Sequence, residues 1–363
     1  MSELIKGVEK TVKRLILKTY IATHKAPDKG FPFRLTSESK VLLIRLNKIG
    51  DALVTTPFIR LLKKYTGAQL TMLADKKNHF VFKNHPDIYQ VYIYEKKPEK
   101  LRELTRKLEE EKFDAVIDLH DDVSNTVSML IGSLQIPVKA ALEKITAPLF
   151  THTVTKKDPS ATHVIERCAA LSTIFGFNPE PSELKISLSI SDEAFCSAAE
   201  KLKEFRKPDR LLLAVNISAG SPARYWGTDR YIQLIRWLEK KELEYIVISD
   251  PKDRIFAEAV TTEKKRIITT PSFEEFAALF KYIDLLFSPD TATIHLASMF
   301  GKPVFGLYVW YNTTDVVWYP YNNDYEAVIT KEPNLDNISF EEVITKFNPF
   351  LEKYIHAKRS TIL

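Results

Sequence analysis

Several stretches set acid–base or anion-binding side chains among glycine, serine, proline and asparagine, the composition of turns. In Arg45-Leu46-Asn47-Lys48-Ile49-Gly50-Asp51, Gly50 predicts a sharp turn that leaves Asp51 beside a helix N-terminus. A carboxylate there either answers the positive end of the helix dipole as a cap or stands ready to take a proton. In Ser288-Pro289-Asp290-Thr291-Ala292-Thr293-Ile294-His295, the amides of 291–293 would bind an anion at a helix start. Asp290 can accept from sugar hydroxyls there, with His295 about one turn along on the same face. The plainer reading is an Asp N-cap followed by a helical His facing solvent or core. In Ser218-Ala219-Gly220-Ser221-Pro222-Ala223-Arg224-Tyr225-Trp226, small residues admit a diphosphate and Arg224 offers a bidentate fork. Asp250-Pro251-Lys252-Asp253 either reaches a ribose or is a surface turn. His120-Asp121-Asp122 reads as a solvated edge able to touch an acceptor; adjacent residues rarely converge on one metal ion, so no metal site is expected.

These loops lie at the ends of apolar runs rich in β-branched residues. Lys40–Leu46, Gln69–Leu73, Val91–Tyr94 and Ala115–Leu119 read as strands, separated by helical spacing such as Ala52–Tyr65, Glu99–Lys112 and His163–Phe175. A second alternation follows a helix at Ser191–Phe205, capped by Ser191, with strands at Leu211–Ile217, Tyr245–Ile248, Arg266–Thr269, Asp284–Phe287 and Pro303–Tyr308. Ser272 with Glu275, and Ser339 with Glu342, predict capping boxes. Alternation of this kind means parallel sheets covered by helices, so the fold class is α/β with two doubly wound halves. Ligands of such folds bind outside the carboxyl ends of the strands, and two halves facing a cleft would share one site there.

Composition narrows the function. The 363 residues are 45% hydrophobic and 27% charged, ordinary for a globular protein of about two domains. No apolar run is long enough to span a bilayer. None of the ten glycines forms a G-x-G pair and no GxxxxGK[ST] segment exists, which disfavours an NAD oxidoreductase and a P-loop enzyme. Cys168 and Cys196 give no disulfide framework, so the expected setting is cytoplasmic. Residues 1–40 hold nine Lys/Arg against four Asp/Glu, so the net charge of +5 sits there and the remainder balances. That neutral body argues against nucleic acid as a partner. Residues 3–23 read as a basic amphipathic helix through Leu4, Ile5, Val8, Val12, Leu15, Ile16 and Tyr20. It would pack on its own domain, make a dimer contact, or lie in the plane of an anionic membrane surface.

Taken together, three stretches resemble the bacterial heptosyltransferases, glycosyltransferase family 9. They are KVLLIRLNKIGDALVTTPFIRLLKK (40–64), NISAGSPARYWGTDRYIQLI (216–235) and DLLFSPDTATIHLASMFGKPVFGLY (284–308), with weaker echoes at 113–122, 163–177 and 313–321. The resemblance implies a GT-B architecture of two Rossmann-like domains facing a cleft. Its expected parts are an amphipathic extension (1–39), an acceptor-side domain (40–185), a nucleotide-sugar domain (186–340) and a helix crossing back toward the first domain (341–363). It implies inverting transfer of a heptose from ADP-heptose to a lipopolysaccharide core or another lipid-linked or cell-envelope glycan. For a cytoplasmic member of that family, a membrane-lying helix at 3–23 would sit peripherally on the cytoplasmic face of the inner membrane. Asp51 would be the general base. Asp290, Thr291, Ala292 and His295 would hold the sugar and diphosphate, with Ser218, Ala219, Gly220 and Arg224 around the phosphates and Asp253 nearby. Asn47, Lys48, His120 and Asp121 would meet the acceptor, and no metal or other cofactor is required. The sequence departs from the family's pattern at Ala292 (commonly Gly), at Arg224 (often Lys) and at Asn47-Lys48 (often small hydroxyl residues). Competing readings are a GT-B transferase using another nucleotide sugar, a nucleotide-sugar epimerase, and a non-catalytic carbohydrate-binding or scaffold protein.

Overall fold

The computed structural model describes residues 12, 15–27, 29–30 and 32–360, and the chain divides into two compact units, Met1–Leu188 and Ser189–Leu363. The first is built on six strands: β1 (Lys40–Arg45), β2 (Gln69–Asp75), β3 (Ile88–Tyr94), β4 (Ala115–Asp118), β5 (Val138–Leu142) and β6 (His152–Val154). They pair in parallel in the order β3-β2-β1-β4-β5-β6. Central β1 is fully buried from Val41 to Ile44, as an uninterrupted apolar run covered on both faces must be.

The second unit carries β7 (Leu212–Asn216), β8 (Glu244–Ile248), β9 (Ile267–Ile268), β10 (Leu285–Pro289), β11 (Val304–Val309) and β12 (Tyr325–Thr330). Their order, β12-β11-β10-β7-β8-β9, is again all parallel and repeats the winding of the first sheet. Each sheet therefore has a point where chain winding reverses, between β1 and β4 and between β7 and β10. Loops leaving those strands part to opposite faces and open a crevice.

The expected serine caps form, but among the described residues neither Glu275 nor Glu342 returns the bond that would complete a capping box. Ser191 Oγ accepts from Ala194 N–H at 3.3 Å, Ser272 Oγ from Glu275 at 3.1 Å, and Ser339 Oγ from Glu342 at 3.1 Å. The last helix, Phe340–Ser360, was expected to cross back toward the first domain. Its buried Val343, Phe347, Leu351 and Ile355 join the core of the second unit, and Lys358 bonds Asp284 at 3.0 Å in the same unit.

Residues 15–23 are helical; the expected helix positions Leu4, Ile5 and Val8 lie outside the described residues. Leu17 is buried and Tyr20 packs against the first core, donating to Met129 O at 3.0 Å, whereas Val12, Leu15 and Ile16 are exposed. Tyr20 approaches so closely that a Cβ on Gly132 would stand 2.7 Å from its ring. The segment after the helix is tied on by Ala26 N–H to Pro148 O and Phe33 N–H to Ile174 O.

Candidate active site

Each switch point collects the residues of interest, and each is described within its own unit. In the first, β1 ends in Arg45, whose side chain is 2% exposed. Arg45 Nη1 donates to Leu119 O (2.6 Å), Nε to the backbone O of Asp51 (3.2 Å) and Nη2 to Asp51 Oδ1 (2.8 Å). Instead of making the expected sharp turn, Gly50 sits inside a one-turn helix, Ile49–Leu53. Its N-cap position is Lys48, and no side chain caps it. Asp51 is thus not the cap: it lies in the first turn, where the helix dipole favours its charge, held through Oδ1. Among the described residues nothing bonds Oδ2, and the side chain keeps 18% of its surface exposed. Asn47 and Lys48 stand exposed on the same loop.

Beside this pair lies a buried ionic network. Asp118, last residue of β4, is 0% exposed; Oδ1 accepts from the His120 backbone N–H (3.0 Å) and lies 2.7 Å from His120 Nδ1, while Oδ2 accepts from Lys144 Nζ (2.8 Å). Burial pushes the Asp118 carboxyl up, but the charges of His120 and Lys144 and their hydrogen bonds outweigh it and hold the group well below the usual carboxylate range. The other His120 nitrogen, Nε2, lies 3.1 Å from both the backbone N and the backbone O of Leu46. Asp121 receives Arg167 Nη2 at 2.7 Å and Nε at 3.2 Å, with Lys156 at 3.2 Å. His120 and Asp121 were expected to face an acceptor; both are instead buried and engaged within this network, and the exposed carboxylate of the trio is Asp122. His120 thereby joins the loop after β4 to that after β1, and Asp121 joins it to Arg167 and Lys156. Burial pushes the nearby Cys168 thiol up to about 12, so it is no nucleophile at neutral pH.

The second switch point is built from neutral groups. Asn216, last residue of β7, aims Nδ2 at Ser288 Oγ (2.9 Å), Ser218 O (3.1 Å), Thr291 Oγ1 (3.2 Å) and Thr293 Oγ1 (3.3 Å). The hydroxyls of Ser288 and Thr291 each lie 2.7 Å from that of Thr293. Ser218 Oγ accepts from Asp250 N–H at 2.9 Å, which ties the loops after β7 and β8 together. From this base the helix Ala292–Met299 starts at N-cap Thr291 with no side-chain cap. Arg224 reaches across to Asp290, Nη2 to Oδ2 at 3.0 Å.

Around that helix start, Ser218, Ala219, Arg224, Asp290, Thr291 and Ala292 are all partly exposed, and Gly220 borders open space. His295 differs: expected on the anion-facing side, it is buried at 2% exposure with its ring 6.0 Å from that of Trp318. Asp253 begins the helix Arg254–Val260, and its carboxylate makes no bond among the described residues. Also among the described residues, no group of three His, Cys, Asp or Glu is placed to hold a metal ion, and no helix is long and apolar enough to cross a membrane.

Arg45, Asp118, Asn216 and Ser288 were not anticipated. They share one readable signal: each is a polar residue at or near the carboxyl end of an otherwise apolar parallel strand, where a buried side chain can reach the switch-point loops.

Residues 101–347 match a family described as glycosyltransferase family 9 (heptosyltransferase). The lipopolysaccharide core heptosyltransferase OpsX of Haemophilus influenzae is 22% identical over 316 residues, spanning 84% of this chain and 88% of its own. A family 9 glycosyltransferase from Veillonella parvula shares the fold with a TM-score of 0.71 at 20% identity, covering 89% of this chain and all of its own. The Escherichia coli heptosyltransferase WaaC, solved with ADP, does so with a TM-score of 0.64 at 15% identity, covering 87% and 99%. These likenesses bear out the expected α/β fold of GT-B type.

Proposed function

The chain belongs to glycosyltransferase family 9, and from that premise we propose that it transfers a heptose from ADP-heptose to a lipopolysaccharide-core or related glycan hydroxyl, with inversion and with Asp51 as general base. The observation that carries this reading is the Asp51 carboxylate: one oxygen is fixed by a buried arginine, the other is unbonded among the described residues, and the group caps no helix. A carboxylate so held can accept a proton from a hydroxyl without losing its orientation.

Inversion also needs the departing diphosphate to be met as its charge develops. The uncapped amides at 291–293 and the Arg224 guanidinium supply fixed positive ends for that purpose. Asp290 pre-orients Arg224, and in this scheme it also accepts from donor hydroxyls. Ala292 keeps the amide that a glycine would offer, at the cost of one methyl group beside the phosphate. Asn47 and Lys48, exposed on the loop that carries Asp51, are the acceptor-side contacts in this scheme.

The test is incubation with ADP-heptose and heptose-deficient lipopolysaccharide, following ADP release and the acceptor's mass. A heptosyl mass increment with stoichiometric ADP is expected. Release of ADP with other ADP-sugars only, or no product with any envelope-glycan acceptor, overturns the reading.

A further inference from the structure

The edge of the second sheet opposite the switch-point loops holds a feature the transfer reaction does not use. A cavity of about 700 Å³ opens where β7 and β10 begin, lined by seven Lys and Arg against two carboxylates. One of these, Asp284, is already committed: Oδ2 accepts from Leu212 N–H at 2.9 Å and Oδ1 from Lys358 Nζ at 3.0 Å. The other, Glu200, pairs with Lys203 at 3.5 Å.

Arg210 pairs with Glu244 outside the cavity at 3.7 Å, which leaves Arg206, Lys207, Lys281 and Lys302 with no carboxylate in ion-pair range among the described residues. Two lie over aromatic rings instead. The Arg206 guanidinium sits 4.8 Å from the Tyr282 ring centre and the Lys281 ammonium 4.4 Å from that of Phe195. Those contacts orient the cations without neutralising them. Lys302 is partly buried, and burial pushes its ammonium down; Asp284 opposes the shift, while Lys358 and Arg206 add to it as like charges. A group of unpaired cations, one of them partly desolvated, is stabilised by an incoming anion.

We propose that this cavity binds an anion carrying at least two phosphoryl groups, between Arg206, Lys281 and Lys302. The charge balance sets the number: four unpaired cations match two phosphomonoesters, each carrying about −1.5 to −2 at neutral pH. The volume agrees, since sites for small molecules span about 300–1,000 Å³ and a lone phosphate would leave most of this one empty. The chemistry is shared by a free diphosphate compound and by a phosphorylated lipid headgroup. The cavity is separate from the donor loops, which leave the carboxyl ends of the same strands.

The experiment titrates the full-length protein with inorganic diphosphate by calorimetry, alongside co-sedimentation with phosphatidylcholine vesicles containing one quarter diacylglycerol diphosphate, a lipid with two phosphoryl groups in its headgroup. The variants are the double substitution Arg206→Glu with Lys302→Gln, the exposed single Lys281→Glu should the double variant not fold, and Arg224→Ala as a donor-loop control. Diphosphate binding that survives Arg224→Ala and weakens at least tenfold in the cavity variants supports the site with a free ligand. Vesicle binding that only the cavity variants reduce supports it with a headgroup. Binding of both probes that is absent from the wild type, indifferent to the cavity variants, or lost in Arg224→Ala overturns it.

Discussion

The two units wind their sheets in the same order yet furnish their switch points with opposite materials. The crevice after β1 and β4 is packed with charge: Arg45, Asp118, Lys144, Asp121 and Arg167 are buried and paired. The crevice after β7 and β10 is packed with one amide and three hydroxyls, with the Arg224–Asp290 ion pair standing at the rim. Buried ion pairs hold one geometry, because separating the partners strands a charge in the interior. Hydroxyl rotors can reverse donor and acceptor roles without moving a heavy atom. On the proposed function, the first unit would keep a carboxylate in place, and the second would receive an anion whose charge changes during a reaction.

The sharpest way to break this contrast is at Asp51. Asp51→Asn keeps the shape and an oxygen for Arg45 Nη2, but it cannot take a proton. Turnover should fall about 10²- to 10⁴-fold, the usual share of general-base catalysis, with ADP affinity unchanged by calorimetry. Near-normal single-turnover rates would return the first crevice to a purely structural role.

Next comes the ionic network itself. Lys144→Met removes one partner of the fully buried Asp118 and should cost about 3–5 kcal/mol of stability, seen as a lowered Tm. The pH dependence follows from the sign. Asp118 titrates below its unfolded value in the native state, so its contribution is present above about pH 4 and is lost as pH falls through the native value. The Tm gap between wild type and variant should accordingly be widest near neutrality and narrow below about pH 4. A gap independent of pH would mean that packing of the Lys144 stem, not its charge, holds this crevice.

This network also marks the limit of what the residues reveal in one dimension. The strand runs, the alternation into two halves and the three serine caps were legible because period and capping chemistry are local. Strands β5, β6 and β12 were not foreseen: β6 is three residues long, and β5 (Val-Lys-Ala-Ala-Leu) has little β-branched content to set it apart from a helix. At the sites, Asp51, Arg224, Asp290 and Thr291 were legible as polar residues in turns. His120 and Asp121 looked like a solvated edge because their partners lie far along the chain, Lys144 at 24 and 26 residues from the atoms it binds and Arg167 at 46. Nothing local announces that a charged pair is buried when the compensating charge arrives from another element.

In the second unit, Arg224→Ala tests whether the rim ion pair is a clamp for phosphate. It removes a fork of charge-assisted donors, each such bond being worth about 1.5–3 kcal/mol, so ADP affinity should drop roughly 10- to 100-fold. Thermal stability should change little, since both partners of the pair are partly solvated. Unchanged ADP affinity removes Arg224 from the binding surface and leaves the uncapped helix start as the remaining anion site.

The smallest expected effect discriminates best between the two crevices. Ser288 is as buried as Asp118, and its Oγ accepts from Asn216 Nδ2, donates to Pro289 O at 2.7 Å and lies 2.7 Å from Thr293 Oγ1. Ser288→Ala deletes that hydroxyl, but Asn216 Nδ2 retains Ser218 O, Thr291 Oγ1 and Thr293 Oγ1 as acceptors. The loss should therefore be that of one neutral hydrogen bond, about 0.5–1.5 kcal/mol, well below the cost of Lys144→Met. Tm measurements on both variants at neutral pH make the comparison directly. A Ser288→Ala loss equal to that of Lys144→Met would show that the hydroxyl cluster is as rigidly coupled as the ionic one, and the distinction between a crevice that fixes and a crevice that adapts would fail.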